Sequence, residues 1–223
     1  MWLRTPASLE CVTPQMTKRD RGTEIDLLRA AEKLFAARGV DDVSLREIAA
    51  AAGQGNHSAV LYHFGDKRTL LNALLARHSD PIANAWLAML GHLRDEGRDS
   101  LEELIGMMVR PLVRKLDDPD GGADYLLIVA QLVNSRTFPV TDLPAANAPG
   151  ILAVSGSLMR HAGPIRPYLL PLRMLRVAAV LYSSIASYHR LCTAGIAIPR
   201  DEFVDDLIGS LVAVIGGGRQ PSV

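Results

Sequence analysis

Two very short helices separated by a glycine-containing turn are the feature of this 223-residue sequence that most restricts its fold. The first is predicted over 44–52, where Ser44 and Glu47 form a capping box. The second is predicted over 57–64, after a break that starts at Gly53. Isolated helices shorter than about 12 residues are marginal in water, so each of these must pack against a neighbour.

A longer helix precedes this pair and completes a small core. We expect it to begin with Thr23 as its N-cap and to end at Gly39, where a C-cap glycine is typical. Apolar residues of the three helices can meet, namely Leu28, Phe35, Ile48, Ala49, Val60 and Phe64. An eight-residue helix is about 12 Å long, close to the width of the DNA major groove. The three helices therefore predict a helix-turn-helix.

The remainder of the chain is also predicted to be helical. A fourth helix is expected over 67–79, capped by Asp66 and ended or kinked at Pro81. Further helices are predicted near 82–95, 100–117, 122–135, 148–161, 168–193 and 200–215. Val, Ile and Thr form no alternating runs, so no strand is expected. The predicted class is all-α, with an N-terminal three-helix head and a C-terminal helical ligand-binding and dimerisation domain.

This pattern divides the chain into four segments. They are a flexible basic arm over 1–22, a helix-turn-helix domain over 23–67, a helical ligand-binding and dimerisation domain over 68–216, and a tail over 217–223. The basic residues of the arm, Lys18, Arg19 and Arg21, either add salt-dependent affinity for DNA or belong to a solvated tail. The formal net charge of the chain is zero, so the expectation of DNA binding rests on the helix-turn-helix.

Composition points to a globular protein of a reducing compartment. Hydrophobic residues make up 48% of the chain, enough to bury a sizeable core. The two cysteines, Cys11 and Cys192, are far apart, which excludes a disulfide framework and a four-cysteine zinc site. No apolar run reaches the roughly 18 residues of a membrane span, and the N-terminal segment lacks the apolar stretch of a signal peptide. We therefore expect a cytoplasmic protein with no membrane, metal or cofactor partner.

Residues 25–75 resemble the tetracycline-repressor (TetR) family of transcription regulators. The resemblance is carried by Leu28, Ala31, Leu34, Phe35 and Gly39, by Ser44-Leu45-Arg46-Glu47-Ile48-Ala49, by Ala52-Gly53, by Tyr62-His63-Phe64-Gly65-Asp66-Lys67, and by Leu70-Leu71. The turn after Gly53 looks one residue longer than is usual in the family, and Leu61 stands where many members carry tyrosine. The resemblance implies a repressor that binds a palindromic operator as a homodimer, and a C-terminal domain in which a small molecule lowers the affinity for DNA.

The outer face of the second short helix is the expected DNA-reading surface. The residues expected at or near the duplex are Thr23, Ser44, Asn56, His57, Ser58, Leu61, Tyr62, His63 and Lys67. Tyr62 and Lys67 are expected to touch phosphates, whereas His57 and Ser58 are better candidates for base edges. Thr23, at the amide end of its helix, is expected to receive a phosphate.

The segment 82–161 combines apolar residues with scattered polar ones, as a ligand site does. We expect a mostly apolar effector near Trp86, Met107, Tyr125, Gln131 and Asn134, with ordinary core packing as the alternative for each. A buried amide such as that of Gln131 needs a partner, which either a ligand or a neighbouring helix could supply. The region therefore predicts a small-molecule effector site without identifying the molecule.

Helix 168–193 is apolar on nearly every side, and 200–215 carries a continuous apolar stripe. A helix that is hydrophobic all round must be buried all round, so a twofold partner is expected to cover both helices. His189 and Cys192 are three apart, but a half-buried pair explains them better than a metal site. Other interpretations stay open: an all-helical binding protein or enzyme with an apolar pocket, or a family member that acts as an activator without an effector.

Overall fold

The head of the molecule is built from the first three helices. A computed structural model describes residues 18–55, 58–139, 142, 149–161 and 166–216. The head helices are α1 (Lys18–Arg38), α2 (Leu45–Ala51) and α3 (Ser58–Phe64). The predicted small core is confirmed, because all six of its residues are buried: Leu28, Phe35, Ile48, Ala49, Val60 and Phe64.

Longer helices form the body that follows the head. They are α4 (Lys67–Asp95), α5 (Leu101–Lys115), α6 (Gly122–Leu132), α7 (Pro149–His161), α8 (Leu170–Thr193) and α9 (Arg200–Gly216), with a 3₁₀ turn at Pro167–Leu169. Helix α5 lies in the middle and contacts α4, α7 and α9, while α6 packs against both α1 and α8. The described residues include no strand, and the predicted all-α class is confirmed.

Helix α1 begins earlier than the sequence indicated. It starts at Lys18, so Thr23 lies in its interior and is not its N-cap. The predicted start is wrong because it rested on apolar periodicity, and the first turns of α1 are largely solvent-facing, with Gly22 and Asp26 exposed. Residues 18–22 of the predicted arm are therefore helical, while 1–17 and the predicted tail lie outside the described residues.

Helix α4 runs from the head into the body without interruption. Pro81 lies inside it, so the predicted break between two helices is wrong. Proline lacks the N–H that would bond the carbonyl of Arg77, and one hydrogen bond of the helix is missing there. Pro81 itself is exposed, but Leu74 and Leu75 before it and Trp86 after it are buried. Packing on both sides of the proline keeps the two halves in one helix.

A buried charged cluster joins the head to the body. Glu32 of α1 and His78 of α4 are each 2% exposed, and their Oε1 and Nε2 atoms lie 2.5 Å apart. Arg77 lies 3.3 Å from Glu32 Oε2 and also pairs with Asp120, in the turn before α6. Gly121 has a φ of +88°, and a Cβ there would lie 2.0 Å from Glu32 Oε2, so glycine is required. The cluster therefore ties α1, α4 and the α5–α6 turn together.

Helix α8 leaves much of its apolar surface uncovered. With the preceding turn it spans Pro167–Thr193, and its most apolar 18-residue window has a mean hydropathy of 1.4 with 22% of the window buried. By length and composition this helix is able to cross a membrane, which the sequence analysis missed because Arg173 and Arg176 interrupt its apolar run. An apolar helix that the described residues bury so little needs a further cover.

Candidate DNA-binding surface

A capping box fixes the start of α2. Ser44 Oγ accepts a hydrogen bond from the backbone N–H of Glu47 at 3.3 Å, and Glu47 Oε2 accepts one from the N–H of Ser44 at 2.8 Å. Arg38, at the end of α1, donates to Glu47 Oε1 at 2.8 Å. The N–H and hydroxyl of Ser44, followed by Arg38, lower the pKa of Glu47 to about 2. The predicted capping box is confirmed, and it also locks α2 to α1.

Helix α3 turns one face away from the core of the head. Tyr62 is 75% exposed, and Leu61 and Ser58 are exposed beside it on the same face. His63 is half-buried, and its ring meets that of Tyr62 edge-on with centres 5.1 Å apart. The opposite face carries the fully buried Val60. The helix is therefore seated on its neighbours with a polar and aromatic surface outward.

The structure gives less support to four other residues that were predicted to contact DNA. Asn56 and His57 fall outside the described residues. Thr23 lies inside α1, so the helix end predicted to receive a phosphate is not at that residue. Ser44 is exposed, but its hydroxyl donates to Glu47 at 2.8 Å.

Arg46 of α2 is a candidate contact that the sequence analysis passed over. It is exposed, and its side chain makes no hydrogen bond or ion pair within the described part of the chain. The sequence already indicates this position, because Arg46 lies between the two residues of the capping box. The apolar residues of α2 face the core, so a charged side chain at Arg46 is expected to point to solvent. Its position beside α3 makes it available to a phosphate.

Lys67, in the first turn of α4, lies in an aromatic cage. Its Nζ is 5.7 Å from the centre of the Phe35 ring and 5.8 Å from that of the Phe138 ring. It also donates to the carbonyl oxygen of Asp41 at 3.3 Å. Burial lowers the pKa of this amine below its usual value, against the opposing effect of nearby carboxylates. The ammonium therefore has to leave the cage in order to bind a DNA phosphate.

Two of the residues predicted near an effector are packed in the interior. Trp86 is buried, and its indole Nε1 has no hydrogen-bond partner among the described residues. Tyr125 is buried too, with its ring stacked on His78 at 4.9 Å between centres. Burial raises the pKa of Tyr125 well above its usual value and that of Tyr182, its hydrogen-bond partner on α8, to about 12. These tyrosines therefore remain neutral and act as packing and hydrogen-bonding groups.

The two predicted amides, Gln131 on α6 and Asn134 just after its end, do not share a pocket. Gln131 donates to the carbonyl oxygens of Phe35 and Ala36, at 3.3 and 3.4 Å. The partner that its amide requires is therefore a neighbouring helix, the end of α1. Asn134 is exposed. Both residues lie at the junction of head and body.

A cleft of about 1070 Å³ opens between α4, α5 and α9. Met107 lines it, whereas the other four residues predicted near an effector do not. Small-molecule sites in proteins typically have volumes of roughly 300–1,000 Å³. The cleft is thus large enough for a molecule of that kind, at a place that the sequence analysis did not identify.

An all-helical body that carries a three-helix head with an outward-facing α3 defines a DNA-binding transcription regulator. Residues 27–74, which cover most of the head and the start of α4, match the family described as bacterial regulatory proteins, tetR family. Within the class of helix-turn-helix regulators, residues 27–74 therefore carry a DNA-binding head of the TetR type. No curated protein matches its sequence.

Solved structures of the same fold cover nearly the whole chain. A TetR-family transcription regulator from Marinobacter aquaeolei VT8 is 19% identical, with a TM-score of 0.58 over 90% of this chain and 98% of that one. RolR, solved in complex with resorcinol, is also 19% identical, with a TM-score of 0.52 over 89% of this chain and 90% of that one. At these identities the likeness concerns the fold, including the helical body beyond the matched head.

Proposed function

We propose that this chain is a homodimeric repressor that binds a palindromic operator and is released from it by a small molecule. The observation that carries the DNA-binding part is the exposed face of α3. Tyr62 is 75% exposed, so most of its aromatic ring stays in water unless a partner covers it. Helix α3 is short enough to enter a major groove, and the buried core behind it holds it at a fixed angle.

Four described residues are proposed as the DNA contacts of each head. Ser58 stands at the start of α3 and reads base edges, while Tyr62 and Lys67 bind phosphates and His63 lies at the rim of the contact. Asn56 and His57, which precede α3, belong to the same proposal on sequence grounds alone. These roles predict that the phosphate contacts fix the position of the head on the duplex. The residues at the start of α3 then determine which DNA sequence is preferred.

A gel-shift experiment tests this proposal. The probe is the DNA upstream of the gene that encodes this chain, with random DNA as competitor. We expect retardation that survives the competitor, and we expect Tyr62→Ala to weaken it at least tenfold. Leu152→Ala is the matched control, because Leu152 is 55% exposed but lies on α7, outside the head and outside the helices proposed to form the dimer. Retardation that random DNA abolishes would contradict the proposal. So would an equal loss of DNA affinity in the two variants.

Dimerisation is proposed to occur through the uncovered face of α8, with α9 beside it. The apolar stripe of α9, which was expected to meet the partner, is instead buried within its own chain, because α9 packs on α5 and α8. The support for this dimer is the sparse burial of the apolar window of α8, which a second copy of the same helix would cover. An isologous pairing of this kind buries the same surface on both copies and gives the symmetry that a palindromic operator requires. Such a regulator acts in the cytoplasm, where its operator is.

Release by an effector is proposed to work through the spacing of the two heads. Recognition helices of a dimer have to lie about 34–36 Å apart, one turn of DNA. Helix α4 reaches from the head to the cleft in the body, so a ligand that moves its far end changes this spacing. RolR, which shares the fold, is described with resorcinol bound. By linkage, any inducer must bind the operator complex more weakly than the free protein, which paired calorimetric titrations measure.

A further inference from the structure

The cleft between α4, α5 and α9 is bounded by helices that serve both halves of the proposed function. Helix α4 continues into the head, and α9 packs on α8, which is proposed to pair with a second copy. We infer that this cleft is the effector site and that its ligand is an amphipathic anion, with a carboxylate or similar group on an apolar body. This inference rests on the proposed function, because it names the class of molecule that causes release.

The apolar body of the ligand is matched by side chains from all three helices. Met89 and Leu93 of α4, Met107 of α5 and Ile208 of α9 line the cleft. Methionine is unbranched and polarisable, so two of these four side chains can adapt to a flexible chain or a ring. Pro111 also lines the cleft and lacks the N–H that would bond the carbonyl of Met107. The wall therefore combines apolar surface with a helix that lacks one of its backbone hydrogen bonds.

The acidic side chains of the cleft have little capacity left for a cationic ligand. Glu103 accepts a hydrogen bond from Arg98 at 2.8 Å. Asp205 lies 3.7 Å from Arg110, its partner across the cleft. Glu102 lies in the first turn of α5, where the positive end of the helix dipole favours its carboxylate. A ligand ammonium would compete with a cation or a dipole at each of these groups.

Two of the basic side chains of the cleft, by contrast, have free donors. The guanidinium of Arg114 makes no hydrogen bond or ion pair to any residue that the structure describes, and neither does the imidazole of His92. Arg110, which pairs with Asp205, stands one turn before Arg114 on the same face of α5 and adds a second positive charge to this side of the cleft. Guanidinium groups present forked N–H donors that match the two oxygens of a carboxylate. The guanidinium of Arg114 is therefore a cationic donor of the cleft that no described residue occupies.

Calorimetry with three probes that share one alkyl chain tests the inference. Dodecanoate, dodecanol and dodecyltrimethylammonium are titrated below their micellar concentrations into the full chain. We expect dodecanoate to bind tightest, and we expect Arg114→Gln to weaken it about tenfold or more, because a charge-assisted hydrogen bond is lost. Arg160→Gln is the matched control, since Arg160 is exposed on α7 and outside the cleft.

A second pair of variants tests where the ligand binds, whereas the arginine variants test which charge it carries. Met89→Trp fills the cleft from α4 and should abolish binding of dodecanoate. Leu87→Trp, on the same helix and also exposed but outside the cleft, should leave binding unchanged. Circular dichroism establishes that each variant is folded, and Arg114→Lys, which keeps the charge on a shorter donor, should restore part of the affinity lost in Arg114→Gln.

The outcomes separate this inference from the proposed function. Absence of dodecanoate binding, tighter binding of the cationic probe, or equal affinity in Arg114→Gln and Arg160→Gln would overturn the anion site. If the wild-type chain still shifts its upstream DNA in that case, the repressor proposal stands without it. Binding of dodecanoate with the expected pattern, together with no specific shift of DNA, would instead support the cleft and overturn the repressor proposal.

Discussion

Lys67 and Arg68 hold the segment after α6 against the start of α4. The Phe138 ring lies near both cations, with the Arg68 guanidinium carbon 5.3 Å from its centre. Arg68 also donates to the carbonyl oxygen of Thr137 at 3.3 Å. A cation over an aromatic face gains about 0.5–1 kcal/mol at exposed sites and more when it is desolvated. The charge of Lys67 that is proposed to bind DNA therefore also holds this contact.

Lys67→Met should weaken binding to operator and random DNA alike, because a phosphate contact carries no sequence information. The slope of log affinity against log salt should fall by about one. Phe138→Leu is the matched change, which opens the cage without removing the charge. It should strengthen binding to both DNAs about twofold to threefold with an unchanged slope. Fluorescence anisotropy over a series of salt concentrations measures both effects, and an unchanged slope in Lys67→Met would place the ammonium permanently in the cage.

At the scale of whole elements, the sequence predicts a helix best where its signals are local. The capping box of α2 is visible as Ser44 and Glu47, but the hydrogen bond from Arg38 is not, because it depends on how α1 meets α2. The start of α1 and the continuity of α4 were missed for related reasons. Exposed turns carry no apolar period, and burial on both sides of Pro81 outweighs one missing hydrogen bond.

The same difference between local signals and packing between helices explains which candidate sites could be predicted from the sequence. The exposed face of α3 follows from a periodicity within one helix, so Ser58 and Tyr62 could be placed from sequence. The cleft is formed where three helices meet, and which faces of α4, α5 and α9 remain open depends on their packing. Trp86 and Tyr125 look like ligand residues in the sequence, yet neighbouring helices bury them.

Glu47→Gln should change the stability of the head in a pH-dependent way. The pKa of Glu47 is about 2 in the fold against an ordinary value of 4.5, so its carboxylate contributes stability that is fully present above about 4.5. This contribution is lost as the pH falls through the folded value. The difference in free energy of unfolding between wild type and Glu47→Gln should therefore be largest near neutral pH and shrink between about 4.5 and 2. Urea unfolding across this range measures it, and a constant difference would contradict the assignment.

Pro81→Ala should stabilise α4. The change restores an N–H able to bond the carbonyl of Arg77, and interior proline is roughly 3 kcal/mol less favourable than alanine in a helix. The structure has already adapted to proline, so we expect a gain of about 1–3 kcal/mol in the free energy of unfolding, measured with urea. Pro81 is exposed, which leaves room for the new side chain. A loss of stability would show that the body requires a distortion at this position.

For the molecule as a whole, the buried cluster around Glu32 decides whether the head and body move as one. Glu32→Ala leaves the imidazole of His78 and the guanidinium of Arg77 without their shared carboxylate. Breaking a buried pair in this way typically costs about 3–5 kcal/mol. Glu24→Ala, a change on the same helix outside the cluster, should stay within about 0.5 kcal/mol. Chemical denaturation measures both, and similar small losses would mean that the cluster is not a structural joint.

The proposed dimer rests on the exposed apolar surface of α8. Light scattering should give twice the monomer mass of 24.1 kDa at micromolar concentration. Ser183→Arg places a charge on the exposed side of α8 and should shift the protein towards monomer and weaken operator binding. Ala85→Arg, an equivalent change on the exposed side of α4, should do neither. A wild-type monomer, or a dimer that Ser183→Arg leaves intact, would contradict the proposed interface.

The uninterrupted course of α4 also limits how this protein could be recombined. A 29-residue helix is about 43 Å long, and here it begins in the head and ends at the cleft. No loop separates the part of α4 proposed to meet DNA from the part proposed to meet a ligand, so a chimera with another head has to be spliced inside the helix. Inserting one residue at the splice would rotate the head by about 100° relative to the body. We expect that only splices that preserve the helical phase transmit a signal from the cleft to the head. A series of chimeras with inserted residues would show whether this signal depends on the orientation of the head or only on its attachment to α4.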